Sequence, residues 1–100
     1  MGKEVIWSIQ ALKQTEAIHK YILEESKSLD IADKVVGALF ESTQILGVQS
    51  ELYALDDLKL NNNGSYRAYV KYNYRISYRI LKNNIRILRI RHTSRKPLKY

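Results

Sequence analysis

The sequence has no cysteine, one proline, four glycines and two histidines in 100 residues. Without cysteine there is no disulfide framework, no thiolate metal site and no thiol nucleophile. That composition suits a reducing cytosol, and a cytoplasmic protein is expected. His19 and His92 are too few for a multi-histidine metal site, so neither metal nor cofactor is expected. No run approaches the ~18 to 20 apolar residues that a membrane-spanning helix needs. The opening Met1-Gly2-Lys3-Glu4-Val5 reaches Ser8 and Gln10 before any long apolar stretch, which is unlike a secretory leader, and no membrane partner is expected. What is present is globular: 45% apolar and 27% charged residues, in a length that suits one domain, residues 1–100.

Charge is the informative quantity once it is divided along the chain. Residues 1–65 carry six lysines against ten acids, a net of −4. Residues 66–100 carry seven arginines and four lysines with no Asp or Glu, a net of +11. Six of the eight tyrosines lie there too. Arginine offers a planar fork for phosphate and tyrosine a ring on which a base can stack, so a polyanionic partner is the first expectation.

Periodicity gives the elements. Lys3 to Ile9 alternates as a short strand with Val5, Trp7 and Ile9 on one face. From about Ala11 to Ser26 helix formers dominate, with Ala11, Thr15, Ile18 and Ile22 as a buried stripe. Leu29, Ala32, Val36, Leu39, Thr43 and Leu46 step by three and four, predicting an amphipathic helix capped by Ser28 or Asp30 and ended at Gly47. The short join makes the two helices an antiparallel hairpin. Residues 48–65 are turn-rich and predict an ordered loop with a flexible tip at Asn61-Asn62-Asn63-Gly64-Ser65. The period then falls to two, giving strands Tyr66–Tyr72, Tyr74–Leu81 and Ile85–His92, with Lys82-Asn83-Asn84 as a hairpin turn. Ile85, Ile87, Leu88 and Ile90 put apolar groups on both faces of the last strand, predicting a central position. By the same alternation Arg89 and Arg91 share a face with Ile85 and Ile87. Pro97 makes Thr93–Tyr100 a tail that crosses a face or an edge. The expected class is α+β, ordered β-α-α-β-β-β, with the helical hairpin on one face of a mainly antiparallel sheet and the other face left for function.

Tyr66-Arg67, then Asn73-Tyr74-Arg75-Ile76-Ser77-Tyr78-Arg79-Ile80, then Ile85-Arg86-Ile87-Leu88-Arg89-Ile90-Arg91-His92-Thr93-Ser94-Arg95-Lys96-Pro97 form an ordered set. It resembles the RelE/ParE superfamily of bacterial type II toxins: an arginine strand, a Tyr-Arg-x-x-Tyr strand, an Ile-rich strand and a closing His-x-x-Arg. Trp7 with Ala11, and Ala32, match the usual positions in the first half. The resemblance implies a growth-inhibiting toxin of a plasmid-stabilisation type, silenced by an acidic or partly disordered antitoxin. RelE-like members are metal-independent endoribonucleases that cleave mRNA on the ribosome; ParE-like members act on DNA gyrase without nuclease residues.

Metal-free RNA cleavage needs a base for the 2′-OH, cations on the phosphate and an acid for the leaving oxygen. The resemblance assigns Arg75 to the scissile phosphate, and His92 is the residue of this region that titrates near neutrality; these two are the catalytic candidates. Arg67, Lys71, Arg79 and Arg95 are candidate nucleic-acid or target contacts. Tyr100 resembles a late nuclease tyrosine that could stack on a base. A plain polar strand face is the weaker reading of Arg75 and Arg79, because the basic third holds no carboxylate to pair them. A Glu or Asp base would have to come from Glu51, Asp56 or Asp57 in the 48–65 loop, and Tyr66, Ala68 and Val70 stand where nuclease members carry a lysine pair. The acid–base set is therefore incomplete, which tilts the expectation toward a ParE-like inhibitor; an endoribonuclease and a non-toxic RNA-binding module stay open.

Overall fold

The computed structural model describes residues 2–100. Its elements are β1 (Glu4–Trp7), α1 (Ile9–Ser26), α2 (Leu29–Gln44), a 3₁₀ turn (Ile45–Gly47), β2 (Tyr66–Lys71), β3 (Tyr74–Ile80) and β4 (Asn84–His92). The sheet order is β1-β4-β3-β2, with β1 parallel to β4 and the other pairs antiparallel. The expected α+β class and β-α-α-β-β-β order hold, and β4 is central.

Ser8 decides where strand becomes helix. Its backbone is extended, its Oγ accepts the Ala11 N–H at 3.0 Å, and its hydroxyl donates to the Leu88 carbonyl at 2.8 Å. A serine N-cap of this kind satisfies one of the free N–H groups of the first turn. Ile9 is consequently the first helical residue and is 74% exposed, not the inward strand residue that alternation suggested. Lys27 ends α1 in the left-handed conformation, and Ser28 caps α2 by accepting the Ile31 N–H. Leu29, expected in the buried stripe, sits on that first turn and is exposed.

Ala11, Leu39 and Leu46 from the helical side meet Tyr69, Tyr74, Ile76, Tyr78, Ile85, Ile87 and Ile90 from the sheet. Trp7 packs its ring on Phe40 at 4.3 Å between centroids. The apolar pattern of β4 has a different cause from the one expected. Tyr78 pairs with Ile87 but Ser77 pairs with Arg89, so Leu88 is an extra residue, a β-bulge. The bulge returns Ile90 to the helix side with Ile85 and Ile87. Arg89 and Arg91 accordingly join Arg86 on the opposite face.

Residues 48–65 run along the β2 edge. The Tyr78 hydroxyl donates to the Ser50 carbonyl, and Tyr53 stacks on Tyr69 at 4.1 Å. Ala68 N–H donates to Ala54 O, and Asp56 N–H to Tyr66 O. The expected flexible tip is hydrogen-bonded: Asn62 Oδ1 accepts from Gly64 and Tyr66 N–H, and its amide donates to Tyr66 O.

Two glycines should respond oppositely to alanine. A Cβ on Gly47 would stand 2.5 Å from the Lys3 carbonyl oxygen, so backbone must shift. A Cβ on Gly37, within α2, meets nothing within 4 Å. In urea unfolding, Gly47→Ala is expected to cost about 1–3 kcal/mol and Gly37→Ala to stabilise by about 0.5–1 kcal/mol.

Candidate functional site: the arginine face of the sheet

Cross-strand partners share a face. The register places Arg79 opposite Arg86, Ser77 opposite Arg89 and Arg75 opposite Arg91. Five arginines thus line the face turned away from the helices. Like charges directly opposite one another destabilise a sheet, and most of these side chains are engaged separately. Arg89 donates to Leu98 O at 2.6 Å and lies 4.0 Å from the centre of the Tyr100 ring. Arg91 reaches Lys96 O at 3.3 Å. Arg79 lies 4.8 Å from the centre of the Tyr66 ring, with Nε donating to Ser65 Oγ at 3.4 Å. Arg86 has no side-chain partner among the described residues.

Arg75 is paired with carboxylates, contrary to the expectation that none is near. Its Nη2 donates to Asp56 Oδ1 at 2.6 Å and to Asp57 Oδ1 at 2.9 Å. Asp56 is 1% exposed; its Oδ1 also accepts the Leu58 N–H at 3.0 Å, and its Oδ2 the Tyr100 hydroxyl at 2.7 Å. Burial pushes the Asp56 carboxyl up. The donors from Tyr100, Arg75 and Leu58, with the Arg75 charge, outweigh it and hold the group below the usual carboxylate range. For Tyr100, burial and the facing carboxylate both push the phenol up. The backbone completes the clamp, with Tyr100 N–H donating to Leu58 O and Leu60 N–H to Tyr100 O. The loop and the closing segment therefore lie over this face, which is not the open surface that the element order suggested.

The catalytic candidates are not brought together. Arg75 pairs with Arg91, whereas His92 pairs with Tyr74 on the helix side, with the two rings edge to face at 5.1 Å. His92 Nδ1 accepts the Ser94 N–H at 3.0 Å. With Ile18, Tyr21, Tyr74 and Arg95 it lines a cavity of about 350 Å³. Arg67 is opposite Tyr78 and Lys71 opposite Tyr74, so both also fall on the helix side; Arg67 donates to Tyr53 O. Of the sequence candidates, Arg75, Arg79 and Tyr100 share the arginine face. The face also gains Arg86, Arg89, Arg91 and Asp56. Adjacent apolar Ile87-Leu88 inside an alternating strand was the available sign of the bulge.

No group of His, Asp and Glu among the described residues could hold a metal ion, and no described helix is long and apolar enough to cross a membrane. A family model described as the ParE toxin of the type II toxin-antitoxin system parDE matches residues 5–97. The chain belongs to the ParE toxin family. Solved structures share the fold of this ParE-family toxin at low identity. The chromosomal ParDE system of P. aeruginosa superposes with TM-score 0.74 at 18% identity, covering 92% of this chain and 97% of that one. The RelBE2 toxin-antitoxin complex of Mycobacterium tuberculosis gives 0.61 at 16%, covering 92% and 99%. The YoeB dimer of Staphylococcus aureus gives 0.53 at 21%, covering 89% and 94%. No curated protein sequence matches.

The depressed carboxyl sets an acid dependence. A carboxylate held below its unfolded value of 3.8 contributes stability above that value, lost as pH falls through the folded one. Denaturant midpoints are expected to fall from about pH 5 toward pH 2, with a shallower fall in Asp56→Asn. At neutral pH, Asp56→Ala should cost about 3 kcal/mol, since the partner guanidinium is left partly buried.

Proposed function

We propose that this toxin arrests growth by binding rather than by cleavage: a ParE-like, non-hydrolytic inhibitor of DNA gyrase that uses its basic sheet face and is held silent by an acidic or partly disordered antitoxin. The observation that carries this reading is the arrangement around Arg75. A guanidinium neutralised by Asp56 and Asp57 is poorly placed to stabilise a pentavalent phosphate. The titratable His92 lies on the other face, with Nδ1 engaged by Ser94, and so points away from a phosphate held at Arg75. Arg79 and Arg86, opposite one another and without a carboxylate partner, are the part of the face we assign to target binding.

The antitoxin is expected on the helical side. The β2 edge is already met by Ala54 at Ala68 and by Asp56 at Tyr66, which leaves little room for an added strand. Ile9, Leu12 and Tyr21 are exposed along α1, which favours a helix laid across the hairpin. The relative from M. tuberculosis was crystallised as a toxin-antitoxin complex.

The nuclease reading keeps one supporting feature: Arg75 and Tyr100 meet at a single carboxylate. Two assays on the purified toxin separate the readings. Inhibited gyrase supercoiling with intact messenger in cell-free translation is expected. The Arg79→Ala/Arg86→Ala double variant should be at least roughly tenfold weaker, a loss of ~1.4 kcal/mol of binding. Discrete messenger ends inside codons, absent with Arg75→Ala, would instead establish an endoribonuclease. A chain that binds RNA but leaves growth untouched would be the non-toxic module.

A further inference from the structure

The turn joining β2 to β3 consists of Tyr72 and Asn73, with φ of 50° and 64°. Two left-handed residues in a two-residue hairpin suit the strand twist, and the positions favour Asn, Asp or Gly. Asn73 conforms. Tyr72 does not, because a bulky L-residue is strained there. The turn is held at this length from both sides: Lys71 pairs with Tyr74, and Asn73 O accepts the Thr93 N–H at 2.7 Å.

The strain is not offset by packing. Tyr72 is 55% exposed and its hydroxyl has no partner among the described residues; its ring meets Lys71 Nζ at 4.7 Å. Val70, on the arginine face opposite Arg75, is 54% exposed. The tip thus presents an aromatic ring, an aliphatic side chain and an ammonium. Arg91, His92 and Arg95 belong to the neighbouring strand end and segment, and the carboxylates that reach this side, Asp56 and Asp57, are drawn onto Arg75. Strained residues persist where the conformation serves a purpose outside the local fold.

We propose that this hairpin tip is a recognition knob, in which Tyr72, flanked by Val70 and Lys71, enters an apolar pocket rimmed by carboxylates on the protein that the toxin inhibits. The cations match an acidic rim, and the Val70–Tyr72 pair favours a protein pocket over a run of phosphates. The inference rests on arrest by binding and names where that binding is anchored, at the end of β3 remote from Arg79 and Arg86.

Tyr72→Asn removes the ring and suits the left-handed position, so it tests strain and recognition together. Its melting temperature should rise by roughly 4 °C, while the inducer level needed for growth arrest rises at least about tenfold. Tyr72→Phe should retain arrest. Three results would overturn the knob: undiminished arrest by Tyr72→Asn, whether or not the antitoxin still silences it; a lowered melting temperature, which would make the ring part of the toxin's own packing; or a matching loss of affinity for a single-stranded oligonucleotide, which would make it a base-stacking ring. A wild-type chain that leaves growth untouched would instead sink the toxin reading, and the knob with it.

Discussion

Asp56 lies between a guanidinium from β3 and a phenol from the far end of the chain, and much of the non-helical side of the molecule depends on that meeting. A buried carboxylate is costly unless donors replace its water, and here Arg75, the Leu58 N–H and the Tyr100 hydroxyl do so. Such a pair adds little net stability over apolar packing, although breaking it is expensive. Its consequence is geometric. Asp56 comes from the loop, Arg75 from the sheet and Tyr100 from the closing segment, so one carboxylate fixes two irregular stretches against a regular one.

That arrangement also bears on function. A guanidinium can be aimed at a phosphate only if nothing nearer satisfies it. Asp56 and Asp57 supply within the chain the negative charge that a substrate phosphate would otherwise bring. The same network holds Tyr100 by its hydroxyl, with the ring between Arg89 and the edge of Tyr66. A fold shared at low identity with RelE-type structures therefore carries, at the position the resemblance links to phosphate, an internally neutralised pair. Fold likeness and chemistry separate at this point.

The regular elements were legible because their determinants are local. Helical spacing, the Ser28 cap, the Gly47 stop and the strand periods are each written in adjacent residues, whereas the central place of β4 was expected from an apolar pattern that the Leu88 bulge produces. Ser8 was harder, because capping and strand continuation compete for the same residues, and a hydroxyl that bonds Leu88 80 positions away cannot be seen in a window of ten. Asp56 was legible as a loop carboxylate but its pairing was not, for the same reason: nothing in Asp56-Asp57-Leu58 says that an arginine 19 residues on will be its partner. The candidate site was legible as a list of cations but not as a geometry.

Leu88 turns the list into a geometry. With strict alternation Arg86 would oppose Arg89 and Arg91 across the sheet, and the positive charge would be divided between the helix side and the side away from the helices. One inserted residue reverses the parity of everything after it, and the arginines of β3 and β4 collect on one face while Ile90 and His92 turn toward the helices. The repulsion this creates is absorbed at Arg75 by Asp56 and Asp57, and at Arg79, Arg89 and Arg91 by a hydroxyl, by carbonyls of the closing segment and by aromatic rings. Because a surface ion pair contributes little stability in any case, arginines held by neutral partners keep their charge available to a partner molecule. The concentration of charge on one face is thus a product of the bulge more than of any single arginine.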